Sequence, residues 1–359
     1  MTWLGDQLSH IADEMPQRDL GAAVMERHQR RRRTLVAFAA AATVVVTLLA
    51  ATAGVRAFSA EPPTVVGPSL PLERSTIKVG FVPTVESAVL FVAQRMGYFQ
   101  EEGLSVQAVF LSGSTFGVPM LGANRLDLAQ LDYATVFKAN EHGKDLKIVT
   151  ASHQSAPGTL AVVVNATSKV RTVAGLKRKR IAVPELGGLP PLALTAVLER
   201  AGLTSEDVVL IEIPYQQMLG GLKQGRYDAA LLAEPFITLG REGGQVRVVG
   251  DAMSGDLANL QTSGMTATED WIRRNPRTLA AFQRALGKAR RLVTADPEQA
   301  RAALPVYTRI SAKAARNATL GSYPDQLDPT HLTRIAVLAR AHGWLKRLPE
   351  PGEAVATTE

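Results

Sequence analysis

Apolar positions follow two alternating rhythms along most of the chain. Arg180, Ile181, Ala182, Val183 and Pro184 form a short apolar run ending at proline. After the Gly187-Gly188-Leu189-Pro190-Pro191 turn, Leu194, Val197, Leu198 and Ala201 fall at i, i+3, i+4 and i+7. A strand, a glycine turn and a helix are predicted. Gly202 stands where a left-handed C-terminal cap is wanted, and the β-branched stretch from Val208 to Ile213 predicts the next strand. The rhythm then repeats. Tyr215, Met218, Leu219 and Leu222 share a helix face, Gly225 ends it, and Tyr227 to Leu232 runs as a strand into Glu234, Pro235 and Phe236. Strands alternating with helices predict an α/β fold on a parallel sheet, with its sites on the loops after the strands.

An earlier unit reads the same way. Ile77, Val79 and Phe81 alternate; Ala88, Phe91, Val92 and Met96 lie on one helix face closed by Gly97; Leu104, Val106, Ala108 and Phe110 alternate again. A partial repeat links the two regions. Leu121 to Leu131 and Leu222 to Leu232 share the pattern L-x-x-[N/G]-R-x-D-x-A-x-L, with Asn124 and Gly225 where a helix ends in the left-handed conformation. Duplication and shared local chemistry both account for it, and both predict two similar α/β lobes facing a cleft. The continuous apolar run Leu160 to Val164 marks the crossing to the second lobe, and the chain returns near Val246 to Ala252. The expected division is 76–164 with 250–348 for the first lobe, 165–249 for the second, and a flexible tail at 349–359. The helical remainder carries the stripe Leu279, Phe282, Leu286, Ala289, the starts Asp296-Pro297 and Asp328-Pro329, and Leu332, Ile335, Ala339 ending at Gly343. It is expected to pack on the first lobe.

The N-terminal region has another character. Residues 1–33 are a polar cytoplasmic tail in which Trp3, Leu4, Leu8, Ile11 and Ala12 suggest a short amphipathic helix. Arg27 and Arg30 to Arg33 then abut Thr34 to Val55, 22 residues without a charge, enough to span roughly 33 Å as a helix. Residues 34–56 therefore predict one transmembrane helix, a signal anchor with its arginine-flanked side in the cytoplasm. A cleaved export signal is the alternative, given Ala51-Thr52-Ala53 and the twin arginines Arg32 and Arg33. Residues 57–75, with Pro62, Pro63, Pro68 and Pro71, read as an extended linker.

Composition narrows the classes. With 359 residues and 46% hydrophobic content the chain buries a sizeable core. It has no cysteine, which removes disulfides, thiolate metal sites and a lipid-modified cysteine. The net charge of +7 lacks a basic stripe with interleaved aromatics, so no nucleic acid is expected, and Lys177 to Arg180 reads as a solvated segment. The six histidines show no ligand spacing, and neither a G-x-S-x-G elbow nor a phosphate-binding G-x-x-x-x-G-K-[S/T] loop occurs. No metal, cofactor or catalytic residue is expected.

Several motifs together resemble one family. The run Arg180 to Pro184 with its glycine turn, the helix end Leu198-Glu199-Arg200-Ala201-Gly202-Leu203 and the stretch Gly225 to Phe236 are joined by Gly97 to Leu104, Ser112 to Ser114, Trp271 to Pro276 and Tyr323 to Pro329. From about Ile77 to Leu348 the chain resembles the nitrate/sulfonate/taurine solute-binding proteins of ABC transporters, a family that includes binders of thiamine-pyrimidine precursors. The resemblance implies a two-lobed type II periplasmic-binding-protein fold, a monomer, a small organic solute held between the lobes, and an ABC permease with its ATPase as partners. Fungal pyrimidine-precursor synthases of the same fold leave an enzyme as one alternative, and a membrane-tethered ligand sensor is another.

Loops leading into helix N-termini are the candidate site, because free backbone N–H groups and the helix dipole favour anions or carbonyl oxygens there. They supply Thr84 and Glu86 after the first strand, Ser112, Ser114 and Thr115 after the second, and Asp132 and Tyr133 after the third. Leu186, Gly187 and Gly188 come from the other lobe, and Glu234 from a strand end. Helix capping competes with ligand contact at Ser112, Ser114 and Thr115, and capping or an interlobe pair does so at Asp132 and Glu234. Leu186-Gly187-Gly188-Leu189-Pro190 lacks the hydroxyls that sulfonate binders carry in this turn. An organic solute is therefore expected in preference to nitrate, with Leu186, Leu189 and Tyr133 against its aliphatic or aromatic body.

Overall fold

A computed structural model describes residues 70–356. Its strands are β1 (Thr76–Phe81), β2 (Ser105–Phe110), β3 (Leu128–Asp132), β4 (Leu146–Gln154), β5 (Leu160–Asn165), β6 (Arg180–Val183), β7 (Val209–Glu212), β8 (Ala229–Ala233), β9 (Val246–Asp251) and β10 (Gln261–Thr268). They form two five-stranded sheets, β2-β1-β3-β10-β4 and β7-β6-β8-β5-β9. The central strands β3 and β8 are buried at every position, which explains why they read as unbroken apolar runs.

Each sheet is only partly parallel. β1, β2 and β3 run parallel, as do β6, β7 and β8, while β10 lies antiparallel to β3 and β4 and β5 antiparallel to β8 and β9. The expected all-parallel sheet is corrected for a topological reason. β5 and β10 are the strands on which the chain enters one sheet from the other, so they run against their neighbours.

The repeat has a physical basis in matching turns. Asn124 and Gly225 both take a left-handed conformation, with φ of 53° and 69°. Immediately before β3, the Asp127 amide donates to the Lys78 carbonyl, and the Lys78 amide donates to Asp127 Oδ2 at 2.7 Å. In the other sheet the Asp228 amide donates to the Arg180 carbonyl, and the Arg180 amide to Asp228 Oδ2 at 2.9 Å. Each aspartate thus locks the start of one strand to its parallel neighbour.

Sheet membership differs from the expected division. All of Leu160–Asn165 and Val246–Asp251 belong to the second sheet, so the crossings fall before Leu160 and after Asp251. The C-terminal helices do not all pack on the first lobe. Pro276–Ala295 and Glu298–Thr308 pack against Ala88–Arg95, but Ala312–Asn317 packs against Phe236–Glu242 of the second lobe. Asn317 Nδ2 donates to Glu242 there, and the Thr319 amide approaches Glu234 Oε1 at 3.4 Å. A third connection therefore joins the lobes.

Two expected loose segments are docked where they are described. In the linker, Glu73 accepts from the amides of Arg277 and Thr278, and the Pro71 carbonyl accepts from Arg277 Nε. In the C-terminal segment, Pro351–Ala354 forms a 3₁₀ turn, Val355 bridges Ile148 in parallel, and the Ala356 amide donates to the Ile148 carbonyl at 3.0 Å. The expected tail at 1–33 and membrane helix at 34–56 lie outside the described residues. Among the described residues no helix is long and apolar enough to cross a membrane.

Candidate functional site

The ends of β1, β3 and β4 face the ends of β6 and β8 across a cleft, and the loops there enclose a cavity. Val82, Thr84, Glu86, Gly113, Ser114, Gln130, Asp132, His153 and Thr262 line it from the first lobe, and Pro184, Glu185, Leu189, Tyr215 and Ala233 from the second. Its free volume of about 50 Å³ holds only a few water molecules, so the lobes are drawn together. Hydrogen bonds between them keep it so. Thr115 donates through its amide and its hydroxyl to Glu185 Oε2, both at 2.7 Å. The Leu189 amide donates to Asp132 Oδ1 at 3.0 Å, and the Val85 amide to the Glu234 carbonyl at 3.0 Å.

Glycines permit this approach. A Cβ at Gly113 would stand 2.6 Å from Glu185 Oε2; one at Gly188 would stand 2.7 Å from Asp132 Oδ2 and 3.2 Å from Glu185 Oε1. Gly188 also has φ of 79°, a left-handed value that disfavours side chains. The two carboxyls therefore converge on one point from opposite lobes. Burial pushes Asp132 up to about 6 against hydrogen bonds from Thr135, Ser114 and Leu189. Burial, and then the charge on Asp132, push Glu185 up to about 8.

Asp132 has two roles. Its Oδ1 caps the helix Tyr133–Glu141 by accepting from the Thr135 amide at 2.8 Å, while reaching the N-terminus of the helix Leu189–Arg200 in the other lobe. That helix end thus already faces an acidic group supplied by the protein, in the place where a ligand anion or carbonyl oxygen is expected at the loop of Gly187 and Gly188. Tyr215 opens its own helix, Tyr215–Lys223, and its ring stacks with Phe236 at 6.1 Å. Although the residue is 4% exposed, its hydroxyl makes no hydrogen bond among the described residues. Burial, then the charges of Glu185, Glu86 and Asp132, raise its pKa well above the phenol range and keep it neutral. His153 Nε2 lies 2.7 Å from the Leu320 carbonyl, which assigns the proton to Nε2 and leaves Nδ1 3.3 Å from Thr262 Oγ1.

The expected site residues part company here. Thr84, Glu86, Ser114 and Asp132 come together on the cavity. Thr115 and Gly188 stand beside it in the contact between the lobes, with Gly187 packed 3.1 Å from the Thr115 methyl if it bore a Cβ. Ser112 lines an outer groove of about 1220 Å³ with Phe81, Phe91, Phe110, Phe236 and Tyr307. Tyr133 is fully buried within the first lobe, and Leu186 is 55% exposed; neither lines the cavity, and the expected apolar body contact is left to Leu189. Glu234 is buried with Thr238 donating to both its carboxyl oxygens. Burial raises its pKa. The polar lining residues that sequence reasoning missed are Glu185, Tyr215, Gln130 and Thr262, while His153, the one histidine that the sequence sets near the cleft, does line it. The signal for Glu185 was its place immediately after the β6 run, before the glycine turn.

Comparison with known proteins follows the same lines. The family profile described as NMT1/THI5 like matches residues 84–300. The riboflavin-binding protein RibY of Chloroflexus aurantiacus is 25% identical over 239 residues, 64% of this chain and 65% of that protein. The nitrate import ATP-binding protein NrtC of Synechococcus elongatus is 28% identical over 248 residues, 63% of this chain and 36% of that protein. The chain thus spans less than two thirds of the length of either relative. The alkanesulfonate-binding protein SsuA from Xanthomonas axonopodis pv. citri, bound to MOPS, superimposes with a TM-score of 0.68 at 19% identity, covering 80% of this chain and 99% of that one. That likeness fixes the fold as the two-sheet α/β arrangement of periplasmic binding proteins.

Proposed function

The chain belongs to the NMT1/THI5-like family, and on that footing we propose that it is the extracytoplasmic solute-binding component of an ABC importer. It captures a small organic solute by lobe closure, delivers it to a permease and does no chemistry on it. One observation carries the reading: an enclosed cavity lies between two sheets and is closed by hydrogen bonds running from each lobe to the other. Such a device works only when the solute binds the closed form better than the open one.

Residues 34–56 form the tether in this reading, holding the binding region outside the cell through the linker 57–75. The uncharged run from Thr34 to Val55 behind five arginines supports it. The solute is compact and organic, of the pyrimidine-precursor or taurine size class, because the closed cavity leaves little room.

A thermal-shift screen of organic solutes, nitrate and bicarbonate tests the function. A compact organic solute should raise the melting temperature by several degrees and shrink the radius of gyration in solution. Stabilisation by nitrate alone, or chemical turnover of the bound solute, would overturn the reading. Recovery of a soluble form whose N-terminus lies near Gly54 would overturn the tether.

A further inference from the structure

The cavity's polar groups are unequally distributed between donors and acceptors. Glu86, Asp132 and Glu185 line it, with no lysine or arginine among the lining residues. Arg290 and Arg301, whose charges reach Tyr133 and Tyr323, are not part of the wall. His153 is the remaining lining residue able to carry positive charge, and its Nδ1 stands 3.9 Å from Glu86 Oε1.

Acceptor capacity is left over at the carboxyls. Glu185 Oε2 takes both bonds from Thr115, the Ser114 amide also approaches the carboxyl, and no side chain donates to Oε1. Asp132 Oδ1 takes two amides and Oδ2 the Thr135 hydroxyl at 2.8 Å, with the Ser114 hydroxyl also beside the carboxyl. Glu86 accepts no hydrogen bond from the described residues. The Tyr215 hydroxyl, without a hydrogen-bond partner among the described residues, lies in the field of all three. Carboxyl groups with free lone pairs in a closed space need donors, and charged donors satisfy them best.

We propose that the solute presents a protonated nitrogen group, an alkylammonium or amidinium, to Glu185 Oε1, Asp132 Oδ2 and the Glu86 carboxylate, with the Tyr215 oxygen accepting a further N–H. The inference rests on the solute-binding reading above and names the charge class of its guest. An anionic headgroup meets repulsion from three carboxyls and finds the amide of Leu189 already engaged by Asp132. A cation instead neutralises the two acids that repel each other across the lobes, so it stabilises the closed form through the same contact that closes it. The empty closed cavity holds Asp132 and Glu185 partly protonated, with pKa values up to about 6 and about 8. Cation binding therefore expels protons, and affinity rises with pH through that window; the other titratable groups facing it are Glu86, His153 and Tyr215.

Calorimetric titration of the full-length chain at pH 6, 7 and 8 tests this with charge-matched probes. The sets are propylammonium, propanol and propanesulfonate; acetamidinium, acetamide and acetate; benzylammonium, benzyl alcohol and benzenesulfonate. At least one cation should bind ten-fold or more tightly than its neutral and anionic partners, about ten-fold better at pH 8 than at pH 6, with protons released. Glu185→Gln should weaken it by about 10- to 100-fold and raise the melting temperature of the ligand-free protein at pH 8. If that variant fails to fold, Glu86→Gln, at a side chain 31% exposed, should weaken cation binding without loss of fold. Tighter binding of an anionic or neutral member, or affinity that falls as pH rises, overturns the proposal. If no cation binds while the wider organic-solute screen gives a ligand, the charge assignment fails and the solute-binding reading stands. If nothing binds in either experiment, both fail.

Discussion

Gly113 shows how much one missing carbon decides. Its neighbour in space is a carboxyl from the other lobe, so Gly113→Ala leaves each lobe able to fold but forces Glu185 away from Thr115. The variant should bind its solute at least ten-fold more weakly while losing only about 1–2 kcal/mol of stability, measured by calorimetry and urea unfolding. Equal loss of fold and binding would show Gly113 to be a core requirement instead. At this scale the sequence was partly legible. Thr84, Ser114 and Asp132 were found because hydroxyls and carboxyls before a helix have a local reason to be there. Glu185 and Tyr215 were not, because they meet Thr115, Asp132 and Glu86 of the other lobe, far off in sequence, and no local pattern encodes that meeting.

Among the elements, the repeated turn before β3 and β8 was the most readable feature, since Asn124, Gly225 and the two aspartates act within a few residues of one another. The two copies should nevertheless differ in consequence. Asp127 is buried and also accepts from Trp271 Nε1 at 2.8 Å, whereas Asp228 is partly solvated and faces Lys179 and Arg180. Asp127→Ala strands two donors and should cost about 2–4 kcal/mol; Asp228→Ala should cost about 1 kcal/mol, because water replaces what is lost. Urea denaturation of both variants gives the comparison, and equal losses would contradict it. The helix Ala312–Asn317 had too little periodicity to announce which lobe it joins; its place depends on Glu242 and Glu234 of a distant segment.

For the whole molecule, the facing acids make closure sensitive to pH. Closure sets Asp132 and Glu185 against each other in a buried space that raises their pKa values, so the ligand-free closed form is favoured below the ordinary carboxylate range and loses that advantage as pH rises through about 6 and then about 8. Glu86, His153 and Tyr215 face the same space. Solution scattering on the ligand-free protein should show the radius of gyration increasing between pH 5 and pH 8.5, and Glu185→Gln should flatten the change. A radius that shrinks over this range would reverse the sign of the argument. The two-lobed plan itself was legible from alternating rhythms, while the direction of β5 and β10 was not, because strand polarity follows the route of the chain and leaves no trace in hydrophobic spacing. The bridge between Val355 and Ile148 bears on how copies of this protein avoid one another. β4 is nine residues long and stands at the rim of its sheet, and an uncovered rim of that length invites a neighbouring chain to add a strand. Residues 351–356 act as a hem along it, so trimming them should yield a protein that folds yet clumps on concentration.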